Sequence, residues 1–245
     1  MGNLSSIFND FGNSFYKAFF EYNRWKMYLQ GLRNTLFIAL GACLLGLVIG
    51  IIVTCIRIAP KNNPIMKVLD ALCRLYITII RGTPVVLQLF IGYFVLFTSI
   101  RALNFLGIKE TSGIYVAIIT FGVNSGAYMA EILRGGINAV DYGQMEAGRS
   151  LGLSWLQTFA RIILPQSLKS AIPTMFNEFI TLIKETSVAG YVGIVELTKI
   201  QSYITVQSMD LFMPLLIIAA IYLVIVLGLQ KVQSVIERRL NRDAR

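Results

Sequence analysis

The sequence predicts an all-α, polytopic membrane protein that crosses the bilayer five times, with its N-terminus outside and its C-terminus in the cytoplasm. Three observations carry this. Of 245 residues, 56% are hydrophobic and 14% charged, against about 25% charged in soluble domains, and mean hydropathy is +0.66. Apolar runs recur at lengths suited to a hydrocarbon core, which takes ~20 helical residues to cross. Lys and Arg gather in alternate loops, as the positive-inside rule requires.

Taken in order, residues 1–30 form an N-terminal interfacial segment and residues 31–245 the transmembrane domain. Lys17, Arg24, Lys26 and Arg33, the last three within "FFEYNRWKMYLQGLRNTLF", precede the first span on the side the charge rule leaves poor. The stretch reads as lying on the membrane surface, with Trp25 and Tyr28 as interfacial anchors. Span one, Thr35 to Ile56, has no charge over 22 positions. It starts too late and runs too long for a cleaved signal peptide. Span two is Pro84 to Ile100, span three Gly113 to Leu133 and span five Leu211 to Leu229. Span four, Ala171 to Ile194, is weaker because Glu178, Lys184 and Glu185 interrupt it.

The loop charges sort accordingly. Arg57, Lys61, Lys67 and Arg74 follow span one; Arg134, Arg149, Arg161 and Lys169 follow span three; Lys231, Arg238, Arg239, Arg242 and Arg245 close the chain. The other loops hold only Arg101, Lys109 and Lys199. The net charge of +9 therefore reads as topology, not as a nucleic-acid surface. The three cysteines, Cys43, Cys55 and Cys73, are too far apart for a zinc pattern and read as small buried apolar residues. With no histidine in the chain, His-based triads and metal sites are excluded. There is no G-x-x-x-x-G-K-[ST] phosphate loop either. No catalytic residue, metal or cofactor is predicted, and the chain does not read as an enzyme.

The loop of about residues 135–170 is the longest, and its local code specifies a rigid elbow. Gly135 and Gly136 are expected to end span three, glycine being the usual left-handed helix terminator. A short helix follows from Gln144 to Leu151, with Glu146 near its N-terminus, where the helix dipole favours a carboxylate. Gly152 stops it. Ser154 and Gln157 fit a capping box that starts a second helix, and Pro165 ends that helix. Leu151, Leu153 and Trp155 are expected to cluster at the corner. A partner docking site and an amphipathic hairpin on the lipid surface are both open readings of such a loop.

The segment "EAGRSLGLSWLQTFARIILPQ" resembles the EAA loop of ABC-importer permeases, whose pattern is E-A-A, three residues, G, nine residues, then I-x-L-P. Glu146, Ala147, Gly152, Ile162, Leu164 and Pro165 fall on it, with Gly148 in place of the third small residue. "RGTPVVLQLF", "NSGAYMAEILRGGINAV", "GQMEAGRSLGLS" and "NEFITLIKETS" are similar to the polar-amino-acid branch, over roughly Leu32 to Leu240. The resemblance implies a type I ABC-importer permease architecture in a bacterial inner membrane. It implies that Glu146, Ala147, Gly148, Arg149, Gly152 and Leu153 dock on an ATPase subunit.

Polar residues inside the spans mark candidate transport paths. Glu178, five residues past Pro173, lies ~10 Å into span four if that span starts near Ala171. It reads as a substrate contact or as half of an internal ion pair with Lys184 or Arg81. Asn124, Tyr128 and Glu131 share one helical face; Tyr128 and Glu131 read as glue between helices. In "RGTP", Gly82 and Pro84 are expected to break the helix entering span two, although Pro84 also suits a first helical turn. By resemblance, Asn124, Ser125, Thr83, Val86 and Glu178 form the substrate pocket, Glu178 taking an ammonium or a cationic side chain.

The implied partners are two ATP-binding subunits, a second permease copy or paralogue, an extracellular or periplasmic substrate-binding protein, a polar amino acid and the lipid bilayer. Nucleic acid is not among them. The alternative from another class is an ion-coupled secondary amino acid transporter with Glu178 as coupling group; the chain shows no internal repeat of the kind such proteins carry.

Overall fold

In the computed structural model, residues 2–97 and 113–242 are described. The end of predicted span two and the charges Arg101, Lys109 and Arg245 lie outside them. The described residues are nearly all helical and contain no strand. The helices are α1 (Gly2–Phe15), α2 (Trp25–Ile58), α3 (Pro64–Gly82), α4 (Val85–Ile91), α5 (Ile114–Asn138), α6 (Gly143–Ser150), α7 (Trp155–Thr158), α8 (Leu164–Glu185), α9 (Leu197–Ser208) and α10 (Phe212–Arg242).

Helices α2, α5 and α10 are each long and apolar enough to cross a membrane. The pair α3 and α4, bent by 107°, makes up to a fourth span. Helix α8 carries Glu178, Lys184 and Glu185 and does not reach that apolarity. Helix α3 was hidden in the sequence because Lys67, Asp70, Arg74 and Arg81 make it read as a charged loop.

The centre of the fold is the crossing of α2 and α5. Two small-residue ridges interlock there, Gly46 and Gly50 on α2 with Gly122 and Gly126 on α5, each pair at the four-residue spacing that lets helix backbones approach. A Cβ on Gly46 would fall 2.9 Å from Cβ of Ser125, and one on Gly50 2.6 Å from Cβ of Met129. Thr54 Oγ1 donates to the Ala130 carbonyl at 3.1 Å across the same contact. Around it, Ile38, Ala39, Leu89, Phe121, Leu182 and Ile183 join α2, α4, α5 and α8 into the main core.

Helix α5 runs through Gly135 and Gly136 to Asn138, so the glycine pair does not terminate it. Gly136 is buried, and a Cβ there would sit 2.7 Å from the Ser167 carbonyl. The pair serves close packing of α5 on α8. Pro165 also departs from expectation. The chain stays helical from Trp155 through a π-turn at Phe159–Ile163 into α8, with Pro165 in the first turn of α8, where its missing N–H costs nothing. It opens a long helix instead of closing a short one.

At the end away from the elbow, Tyr28 is buried and stacked on Phe19 at 5.7 Å, not standing at an interface. It belongs to a second core with Leu197, Ile200, Ile204 and Met213. Arg24, 3% exposed, donates to the carbonyls of Lys17 and Gln207. The N-terminal segment is thereby fastened to α9. Of the cysteines, only Cys73 is buried; Cys43 is half-buried and Cys55 exposed.

Candidate functional site

The break between α3 and α4 falls where Gly82 and Pro84 predicted it. Thr83 and Pro84 are both extended, and Pro84 stands just ahead of the first turn of α4. Breaking a helix frees carbonyls that need donors: Thr83 Oγ1 donates to the Ile79 carbonyl at 2.9 Å, and Gln88 supplies others. Gln88 Nε2 donates to the Ile80 carbonyl at 2.7 Å, the Thr83 carbonyl at 3.1 Å and Thr83 Oγ1 at 2.8 Å. Its Oε1 accepts from Asn124 Nδ2 at 2.9 Å. Gln88 is thus the clasp between the break and α5. The sequence reading passed over it, though a lone amide in the apolar run "VVLQLF" was a usable signal.

One residue along α5, Ser125 Oγ donates to Glu178 Oε1 at 3.0 Å. Asn124 and Ser125 are buried and Glu178 half-buried. Ser125 is pinned from behind by the Gly46 ridge. Glu178 makes no ion pair with a described residue; neither Lys184 nor Arg81 comes within 4 Å of it. Four of the five expected pocket residues therefore form two linked pairs, Asn124 with Thr83 through Gln88, and Ser125 with Glu178. Val86 lies half-buried on the first turn of α4.

A turn or two further along α5, an ion-pair cluster joins α2, α3 and α5. Asp70, with 2% of its side chain exposed, meets Lys61 at 2.7 Å and Arg74 at 3.0 Å. Glu131 pairs with Arg57 and, at 2.6 Å, with Arg134. Arg81 is 3.9 Å from Glu131, and its guanidinium lies over the Tyr128 ring at 5.1 Å. Tyr128 and Glu131 do join helices, as their stripe suggested.

The elbow's glycine turn and capping box are built as the local code specified. Gly152 has φ +83°, and the Leu153 and Gly152 amides donate back to the Gly148 and Arg149 carbonyls at 3.1 and 3.0 Å, the 6→1 and 5→2 bonds of a Schellman end. Ser154 and Gln157 form the reciprocal capping box, at 3.2 and 2.8 Å. Glu146, Ala147 and Arg149 are exposed, while Gly148 is buried. A Cβ on Gly148 would overlap Cγ2 of Thr158 and lie 2.9 Å from its Oγ1. This contact, not an apolar knot, closes the corner. Leu151 is 81% exposed, and Trp155 stacks on Phe159 at 5.3 Å.

At the other end, Glu196 is fully buried and caps α9, accepting from the Thr198 and Lys199 amides at 2.6 and 2.7 Å. Burial pushes its carboxyl up to about 7, the two amide bonds opposing the shift.

The sequence profile of the family described as "Binding-protein-dependent transport system inner membrane component" matches residues 46–242. A putative glutamine transport system permease protein of Rickettsia bellii is 34% identical over 213 residues, 86% of this chain and 92% of its own. An arginine transport system permease protein of Bacillus subtilis is 34% identical over 215 residues, 88% and 93% of the two chains. A solved amino acid ABC transporter with histidines superimposes with TM-score 0.77 at 33% identity, over 87% of this chain and 94% of that one. The methionine ABC transporter in an inward-facing form shares the fold at TM-score 0.69 and 19% identity, over 90% and 98%.

Proposed function

The chain belongs to the binding-protein-dependent transport system inner membrane component family, and from that premise we propose that it moves a polar amino acid into the cell by alternating access, coupled to a separate ATPase through residues 143–166. It is a multi-pass inner-membrane protein and a transport component, not an enzyme. In the proposal it crosses the membrane five times, N-terminus outside, with the bent α3 and α4 as the second span and α8 as the fourth. A second permease copy or paralogue completes the path, two ATP-binding subunits meet the two elbows, and a substrate-binding protein delivers solute from outside.

The observation that carries this reading is Glu178. A half-buried carboxylate in a transmembrane region is costly unless it meets a partner or a polar cavity, and here one serine hydroxyl is its only hydrogen bond among the described residues. It therefore retains acceptor capacity for a substrate ammonium. Thr83, Val86, Asn124 and Ser125 complete the pocket, next to a helix break of the kind that binds solutes in membrane transporters. The exposed face of α6, with Glu146, Ala147 and Arg149, is the ATPase contact; Gly148, Gly152 and Leu153 give it its shape. An ion-coupled mechanism is not favoured, because the family is a binding-protein-dependent one.

Transport and substrate-stimulated ATPase activity of Glu178→Gln in the assembled transporter test the assignment. Loss of affinity by about 10-fold or more is expected for removal of a charged hydrogen bond. Wild-type affinity and rate for every amino acid tried would sink it.

A further inference from the structure

A zwitterion needs two opposite charges in its site, and the carboxylate of Glu178 supplies one. We propose that Arg81 supplies the other: its guanidinium anchors the α-carboxylate while Glu178 takes the α-ammonium, so the site selects free α-amino acids over their amides and over simple amines. This rests on the amino acid reading given above.

Four observations support it. Arg81 ends the last turn of α3, two residues before Thr83, whose carbonyl and hydroxyl are tied through Gln88 to Asn124. Its guanidinium lies over Tyr128, which is one helical turn from Asn124 and Ser125, and Ser125 holds Glu178. The two charges thus border one stretch of the α5 face without meeting. Each also has spare capacity. Among the described residues the only carboxylate within 4 Å of the Arg81 guanidinium is Glu131, Oε2 at 3.9 Å, beyond hydrogen-bond range, and 43% of the Arg81 side chain is exposed. Glu131 is already satisfied by Arg57 and Arg134, so Arg81 is surplus to that cluster.

The geometry also explains why the opposite charges do not collapse onto each other. Stacking on Tyr128 and the pull of Glu131 hold Arg81 to one side, and the Ser125 hydroxyl holds Glu178 to the other. The two groups therefore stay apart, a fork of donors and a carboxylate, each with capacity left for one end of a zwitterion. A guanidinium matches a carboxylate through two parallel N–H···O bonds, which an ammonium on the same stem does not reproduce.

The test uses the purified permease–ATPase complex without binding protein, and reads ligand-induced shifts in melting temperature. The probes are L-glutamine, L-arginine and L-histidine, each beside its α-carboxamide. For the amino acid that binds, the unsubstituted complex is expected to prefer the free acid about 10- to 100-fold, the range of a charged hydrogen bond. Arg81→Gln should bind both forms at the level of the amide. Arg81→Lys, which keeps the charge and the fold but not the fork, should weaken the free acid several-fold and leave the amide unchanged. Retention of the wild-type preference in Arg81→Gln, or full strength for the free acid in Arg81→Lys, would overturn this proposal and leave the transport reading standing. Failure of all three amino acids to bind the unsubstituted complex would overturn both.

Discussion

Gly148 shows what one missing methyl group does. It replaces the second alanine of the motif it resembles, and the sequence alone treats that as one small residue for another. In the fold it is buried beneath Thr158, so an added Cβ must displace Thr158 or part the two short helices. Overpacking of this kind costs about 1–3 kcal/mol. Gly148→Ala should lower the melting temperature and uncouple ATP hydrolysis from transport, although Ala is the better helix former. Adding Thr158→Ser, which removes Cγ2, should restore most of the loss. Additive damage in the double variant would show that the contact is not the cause. Gln88 teaches the complementary lesson: its identity is visible in the sequence, but its task exists only because α3 and α4 part at Thr83 and leave carbonyls that one amide can reach.

Elements whose code is local were legible. The elbow's turn, capping box and short first helix follow from Gly152, Ser154 and Gln157, because capping involves neighbours within four residues. Elements defined by packing were not. Helix α3 buries Asp70 among Arg57, Lys61 and Arg74, and the glycine pair at 135–136 and Pro165 were misread because helix continuation there depends on packing with α8. Helix α9 carries a test of its own. Its capping residue Glu196 has a folded pKa raised to about 7, above the ordinary ~4.3 of an unfolded glutamate. The folded state therefore binds the extra proton between those values, and the stability it contributes is full below ~4.3 and is lost as pH rises through about 7. Stability should fall over that window by on the order of 4 kcal/mol at most, read as a drop in melting temperature, and Glu196→Gln should flatten the profile. An unchanged slope in the variant would exclude Glu196 as its source.

At the scale of the molecule, the α2–α5 crossing is too tight to slide. Gly46, Gly50, Gly122 and Gly126 leave no room for side-chain rearrangement, and Arg57 of α2 lies between Asp70 of α3, at 4.0 Å, and Glu131 of α5, tying α3 to the same pair. Helices α2, α3 and α5 should therefore move as one body when the elbow is pushed, in keeping with rigid-body switching. Spin labels on exposed sites of α2 and α3 should keep their separation within about 2 Å through ATP binding, while labels on the two elbows of an assembled transporter approach each other. A change between α2 and α3 comparable to that between the elbows would refute the single-body description. Glu131→Gln, which leaves Arg134 without a carboxylate and Arg57 with only Asp70 at 4.0 Å, is the natural way to loosen it.

The sequence by itself determined the class, the membrane, the helix break and the elbow. Hydropathy, glycine and proline dihedrals and capping are properties of short stretches, and Glu178, Asn124 and Ser125 stood out because polar groups are rare in apolar runs. Only the tertiary structure decided which of these groups meet. It joined Ser125 to Glu178 and Asn124 to Gln88, kept Arg81 out of an ion pair with Glu178, and turned Tyr28 and Gly148 inward. Those outcomes depend on how closely two helices approach and how they are rotated, which side-chain volumes across the whole fold set and no local pattern encodes.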